Sequence, residues 1–348
     1  MLTPRINEIE FLRFFAALSV VFFHYSFRGY AADNMSIMPY PFLSQFSKYG
    51  YLGVDLFFII SGFVILMTTA DKSLKSFVVS RIIRLYPTFG ICCTITFTVI
   101  LLIGGSQYPA SMLQYLINMT MLNEFINVPS IDDVYWSLFV EIRFYALVSV
   151  VLLMGLMDRV QIIIICWLML ALVLEALPIG ILRRILIVDY AAYFIVGSTY
   201  FLIWSKGISF TRVVIVILSL GLALFESIKK LPAFEQHYNT TMNIFVVTGI
   251  ITTFFFVMLL ISLRNTGFLG SKYWLSAGTL TYPLYLIHQN VGFMIFNVAY
   301  PVLNPHLLFW GTIIAVVGIA YAVHSLVEKK VSLPMKKAIN NLLDKITV

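Results

Sequence analysis

Ten apolar runs punctuate the chain, near residues 9–27, 49–70, 88–104, 134–156, 160–177, 185–204, 211–227, 242–263, 275–300 and 307–327. A helix needs about 20 apolar residues to cross a hydrocarbon core of ~30 Å, and each run is of that order. The runs are continuous rather than alternating, so a transmembrane β-barrel is excluded. Residues 111–125 form a weaker apolar stretch, expected to lie in the interface or to re-enter. The pattern predicts an all-α fold, a polytopic membrane helical bundle of about ten transmembrane helices with no soluble domain.

The expected layout is a transmembrane domain over residues 1–330 and a short amphipathic tail over 331–348. In the tail, Ile339, Leu342, Leu343 and Ile346 recur at helical spacing against lysines. That is the pattern of a helix resting on an anionic inner leaflet. The first run is read as a retained span, because Glu8, Glu10 and Arg13 spoil the charge pattern of a signal peptide.

Composition agrees. Sixty per cent of the 348 residues are hydrophobic and 11% charged, against roughly 45–50% and 25% for a soluble domain. Mean hydropathy is +0.94. The three cysteines, Cys92, Cys93 and Cys166, sit inside apolar runs without metal-ligand spacing, so neither a disulfide framework nor a metal site is expected. The net charge of +7 does not read as nucleic-acid binding, since the cations lie between apolar runs. With the N-terminus inside, 15 of the 23 Lys and Arg fall on the cytoplasmic side and six outside; Arg13 and Arg143 lie within runs. By the positive-inside rule both termini are expected in the cytoplasm, the protein being multi-pass in the plasma (inner) membrane.

A charge at the bilayer centre costs about 2.5–3.5 kcal/mol, so each polar residue in a run needs a reason. Arg13 and His24 are eleven residues apart, which places them on one face, about 16 Å apart along a helix. Snorkelling and an interfacial position would explain them; so would chemistry. His24 is the best general-base candidate, because a pKa near ~6.5 suits proton abstraction at neutral pH. Asp55 follows Gly53 in the second run and is either an arginine's partner or a catalytic orienter. Arg81 and Arg84, before Tyr86-Pro87, are topogenic charges or a guanidinium clamp for phosphates. In the fourth run Ser137, Glu141 and Tyr145 form a stripe at i, i+4, i+8 beside Trp136. In the ninth, Tyr282, Tyr285 and Gln289 share a face, Pro283 is expected to kink the helix, and His288 falls off that face, where packing or hydrogen bonding is the more natural role.

Taken together these segments resemble the acyltransferase-3 family of integral membrane O-acyltransferases. The resemblance covers nearly the whole chain: Arg13 with His24, Gly50 to Phe63, Arg81/Arg84 before Tyr86-Pro87, Tyr135-Trp136-Ser137-Leu138 with Glu141 and Phe144-Tyr145, Tyr282, Tyr285 and His288, and Glu328-Lys329. Arg143 departs from the neutral or acidic residue expected at its position. The resemblance implies transfer of an acyl group, usually acetyl, from cytoplasmic acyl-CoA (acetyl-CoA) to a hydroxyl of a cell-surface or exported glycan. It implies that Arg81 and Arg84 contact the donor, and that His24 and Arg13 are functional, His24 as base or transient acyl carrier. Asp55 and Glu141 would orient His24 or bind the acceptor, with Trp136, Ser137, Tyr145, Tyr282 and Tyr285 at the acceptor. Some family members carry a fused extracytoplasmic domain, and none is expected here. A glycan or lipid-linked glycan, membrane lipid, a second copy of the chain and polysaccharide-assembly proteins are the partners in view. A transporter or flippase, or acylation of a small molecule or lipid, are the alternatives.

Overall fold

A computed structural model of the chain describes residues 6–69, 72–177, 179–267, 270–271 and 273–346, apart from the side chains of 328, 329, 332, 333 and 342–346. The side chains of Glu328, Lys329, Leu342, Leu343 and Ile346 named above lie outside the described residues, as do Arg5, Lys272 and the Lys345 side chain, three of the cations counted on the cytoplasmic side. Among those described the chain is helical, with no strand. The long helices are α1 (Asn7–Phe23), α2 (Gly53–Thr69), α3 (Leu74–Ile103), α4 (Trp136–Leu153), α5 (Val160–Ala176), α6 (Val188–Lys206), α7 (Phe210–Tyr238), α8 (Ile244–Ser262), α9 (Trp274–Ala299), α10 (Pro305–Val323) and α11 (Lys329–Ile346).

Nine helical stretches among the described residues are long and apolar enough to cross a membrane. The tenth expected span exists as the unbroken helix α9 but is less apolar, because His288, Gln289 and Asn290 interrupt its hydrophobic run. Those three side chains are buried in protein, which is the condition under which a membrane helix tolerates them. The weak stretch at 111–125 is a short helix, Met112–Asn118, and a 3-10 turn, Asn123–Ile126.

Two boundaries differ from expectation. The loop expected before Pro87 is instead the start of α3, a 30-residue helix that passes the proline. Its length of about 45 Å exceeds the hydrocarbon core. Pro87 removes one backbone donor but does not end the helix, a tolerance familiar in membrane helices. Pro283 likewise lies inside α9 without interrupting it. Helix α7 runs eleven residues past its expected end to Tyr238. Its Glu226 and Lys229 join an ion-pair network, which makes those polar turns worth ordering.

The chain divides into two compact units. The first comprises Met1–Ala16, Tyr51–Leu74 and Val140–Leu275. In it α6 packs along α2, α5, α7 and α8. Gly62 and Gly197 explain the closest crossing. A Cβ on Gly62 would strike the Phe194 carbonyl and one on Gly197 the Ile59 carbonyl. Small residues of this kind let backbones meet where dispersion and hydrogen bonds, rather than the hydrophobic effect, hold helices together. The second unit comprises Ala17–Gly50, Lys75–Phe139 and Ser276–Val348. In it Gly292 leaves room for the Tyr25 phenol, and Tyr40 stacks on Phe309 at 4.1 Å.

Candidate functional site

A buried polar cluster lies in the second unit, where α1 ends. Residues His24–Arg28 continue α1 as a single π-helical turn, closed by the Gly29 N–H on the His24 carbonyl. Such turns are rare and concentrate at functional sites. Four consecutive side chains, His24, Tyr25, Ser26 and Phe27, are buried there.

His24 Nδ1 lies 2.8 Å from the Val20 carbonyl oxygen and 3.1 Å from Nε2 of His288. The two rings meet at 69°, with centroids 4.8 Å apart. His288 Nδ1 is 2.8 Å from the carbonyl oxygen of Tyr285, and its own backbone carbonyl accepts the Tyr25 hydroxyl at 2.7 Å. The side chain of Gln289 also reaches the His24 ring. Arg28 donates to Gln289 Oε1 at 2.5 Å and to Asp133 at 3.4 Å.

A second layer steadies this group. Asp132 is fully buried and accepts the backbone N–H groups of Val134 and Asn290. Asn290 in turn donates to the Ile131 carbonyl. Burial pushes the Asp132 carboxyl up to about 7, against the pull of the two backbone N–H groups and Arg28 and with a push from Asp133. The Ser137 and Tyr285 hydroxyls hydrogen-bond at 2.8 Å, while Trp136 is part-exposed and Tyr282 donates to the Leu85 carbonyl at 3.3 Å. Of the sequence-marked residues the second unit therefore gathers His24, Ser137 and Tyr285 near residues that the sequence reading left unassigned: Arg28, Asp132, Gln289 and Asn290. Three adjacent polar residues in an apolar run, His288-Gln289-Asn290, were the available signal.

Arg81 and Arg84 are also in the second unit, on α3. They differ in exposure: Arg81 is buried with its guanidinium over Phe77 at 5.6 Å, while Arg84 is exposed. Spacing alone had put both on one helix side.

The first unit holds the remaining marked residues. Arg13 pairs with Glu10 at 3.3 Å, one turn earlier in α1. The Glu141 carboxylate accepts the Ser61 hydroxyl at 2.5 Å and that of Tyr145 at 2.6 Å. The expected stripe on α4 is thus partly real, with Tyr145 and Glu141 bonded one turn apart and Ser61 joining from α2. Asp55 is buried, with the Tyr193 hydroxyl as a partner.

The first unit holds two further features. Glu175, Asp189 and Glu226 bring carboxylates close together. Arg183 bonds Glu175 and Asp189 at 2.7 Å, and Lys229 bonds Glu175 at 2.7 Å, so the cluster is an ion-pair network tying α5, α6 and α7. A cavity of about 310 Å³ is walled mainly by apolar side chains, among them Phe144, Met154, Trp167 and Leu170, with no carboxylate, imidazole or guanidinium in its lining. The cavity lining thus offers no carboxylate or imidazole to act as acid or base, and the carboxylates of the network are engaged by Arg183 and Lys229.

Comparison with known proteins adds an independent line. A family model described as an acyltransferase domain matches residues 6–325. Acyltransferase MdmB from Streptomyces mycarofaciens is 30% identical over 148 residues, which cover 40% of this chain and 38% of that protein. The chain thus matches well under half the length of this curated relative. No solved structure matches.

Proposed function

Since this chain belongs to the acyltransferase-3 family of membrane acyltransferases, we propose that it moves an acetyl group from cytoplasmic acetyl-CoA to a hydroxyl of a cell-surface or exported glycan. The single observation that carries the chemical part of this reading is the buried His24 imidazole, held by its Nδ1 against a backbone carbonyl at the π-helical end of α1. A base must be fixed in direction as well as placed, because proton transfer needs a heavy-atom approach of roughly 2.6–3.2 Å.

In this reading the acceptor hydroxyl gives its proton to His24 as its oxygen attacks the thioester carbonyl. The C–S bond breaks, and the departing thiolate takes the proton back from the imidazolium to leave as CoA thiol. Direct transfer and transient acylation of His24 both use the same nitrogen. Arg28 adds a positive charge to the neighbourhood, the sign that favours a developing oxyanion. Arg81 and Arg84 are assigned to the donor phosphates, the pairing that guanidinium forks suit. Ser137, Tyr285, Tyr282 and Trp136 are assigned to the sugar, with hydroxyls for its edges and aromatic faces for its rings. Arg13, Asp55, Glu141 and Tyr145 keep the functional roles that the family resemblance implies. Both termini are placed in the cytoplasm, on the strength of the lysine and arginine distribution.

The test is His24→Ala, assayed for acetyl-CoA turnover in purified protein and for O-acetyl groups on surface glycan by NMR. Removal of a general base lowers rates by about 10²–10⁴-fold, so O-acetylation should vanish at normal protein levels. Retained O-acetylation would remove His24 from the reaction.

A further inference from the structure

We infer that His288 is a positioning residue that fixes which nitrogen of His24 reacts: it holds the proton on His24 Nδ1 and leaves Nε2 bare to take the hydroxyl proton. The inference rests on the reading of His24 as the base and follows from which atoms can donate and which can only accept. A carbonyl oxygen can only accept, so the Tyr285 carbonyl 2.8 Å from His288 Nδ1 requires the proton to be there. Neutral His288 then presents a lone pair at Nε2. That lone pair points at His24 Nδ1, 3.1 Å away. The same Nδ1 faces the Val20 carbonyl at 2.8 Å. Two acceptors converge on one nitrogen, and a single shared N–H satisfies both.

The opposite tautomer of His24 would set its Nδ1 lone pair against a carbonyl oxygen and a second imidazole lone pair. All three groups are buried, so no water relieves that repulsion. The orienting ring is itself anchored on both sides. Tyr25 holds the His288 carbonyl, and Asp132 holds the N–H of Asn290 two residues on. An imidazole in this place has an advantage over the carboxylate that orients histidines in many enzymes: it adds no charge to a buried site within a membrane protein.

The test reads the tautomer directly. Protein carrying ¹⁵N-labelled histidine is placed in lipid nanodiscs, and ring-nitrogen shifts separate protonated from bare nitrogens. The His24 signals are identified by their disappearance in His24→Gln. Wild type should show His24 with a protonated Nδ1 and a bare Nε2. His288→Leu, which removes the acceptor, should show a share of His24 protonated on Nε2. Its kcat with acetyl-CoA should fall roughly 10–100-fold, as when other orienting partners are lost, with little change in KM. His288→Gln offers an amide oxygen to the same N–H and should keep both the tautomer and most of the rate. A wild-type His24 protonated on Nε2 would overturn the inference, and so would a His288→Leu protein with unchanged tautomer and kcat, or a glutamine variant as impaired as the leucine one. Should the leucine variant not fold, His288→Phe, closer in size and likewise without an acceptor, takes its place with the same expected shift in tautomer and kcat, and an unchanged tautomer and kcat there would overturn the inference. If His24→Ala turns over acetyl-CoA normally, the reading of His24 as base falls instead, and the spectrum still reports which nitrogen His288 protects.

Discussion

Asp132 shows how far a single buried residue's surroundings can move its chemistry. Its carboxyl is raised to about 7 by burial, while the N–H groups of Val134 and Asn290 oppose the shift. A raised pKa means that the folded protein binds a proton which the unfolded chain releases near pH ~3.9. The linked stability is fully present below that pH and is lost as pH rises through about 7. The melting temperature of detergent-solubilised protein should therefore fall between pH 5 and 8. Asp132→Asn, which is neutral throughout, should flatten that slope; an unchanged slope would place the titration elsewhere. Of the cluster around His24, the sequence marked the imidazole, Ser137, Tyr285, Gln289 and His288, but not which of them pair, and it marked neither Arg28 nor Asp132 nor Asn290. Arg28 lies 261 positions before Gln289 and 105 before Asp133. Separations of that size carry no periodic signal, so no reading of helical faces pairs these residues.

At the scale of the element, α3 and the α2–α6 crossing carry the clearest consequences. The first turns of α3 bear Arg81 and Arg84 before the helix enters its apolar portion. If they hold donor phosphates, Arg81→Ala with Arg84→Ala should weaken acetyl-CoA binding by about tenfold or more, given roughly 1.5–3 kcal/mol for each charged hydrogen bond. Isothermal titration calorimetry would measure this, and unchanged affinity would discard the clamp. Gly197 lies against the Ile59 carbonyl on α2. Gly197→Leu should force those helices apart and destabilise the first unit by about 1–3 kcal/mol or more, visible as a lower melting temperature. Gly221, whose added Cβ meets nothing within 4 Å, should accept alanine without such a loss. The extension of α7 to Tyr238 went unpredicted because Lys229 and Lys230 look like the end of a span. Their partners, the Glu175 carboxylate for Lys229 and the Asp189 backbone carbonyl for Lys230, lie 54 and 41 positions away.

For the whole molecule, the expected orientation follows from charge bias along the chain. Alkaline phosphatase fused after Val348 should be inactive and green fluorescent protein there should glow, if the C-terminus faces the cytoplasm. Phosphatase inserted after Asn239, between α7 and α8, should be active. The reverse pattern would invert the sidedness assigned to the donor. The two compact units each have an internal logic. The first is tied by glycine-mediated helix contacts and an ion-pair network. The second is tied by aromatic packing and the buried polar group that includes His24.

The amino-acid sequence by itself determined that this is a multi-span helical membrane protein, because the bilayer imposes an element length and a polarity that any linear reading detects; the resemblance to the acyltransferase-3 family rested instead on motifs standing in family order between the spans. The sequence also singled out His24, since a titratable group amid apolar residues stands out without knowledge of its neighbours. Only the tertiary structure decided what that imidazole bonds to. Val20 is one turn away, but His288, which presents its lone pair to the same nitrogen, is 264 positions distant. Hydrogen bonds are made between groups that folding brings within about 3 Å, and nothing in the spacing of residues along a chain encodes that proximity.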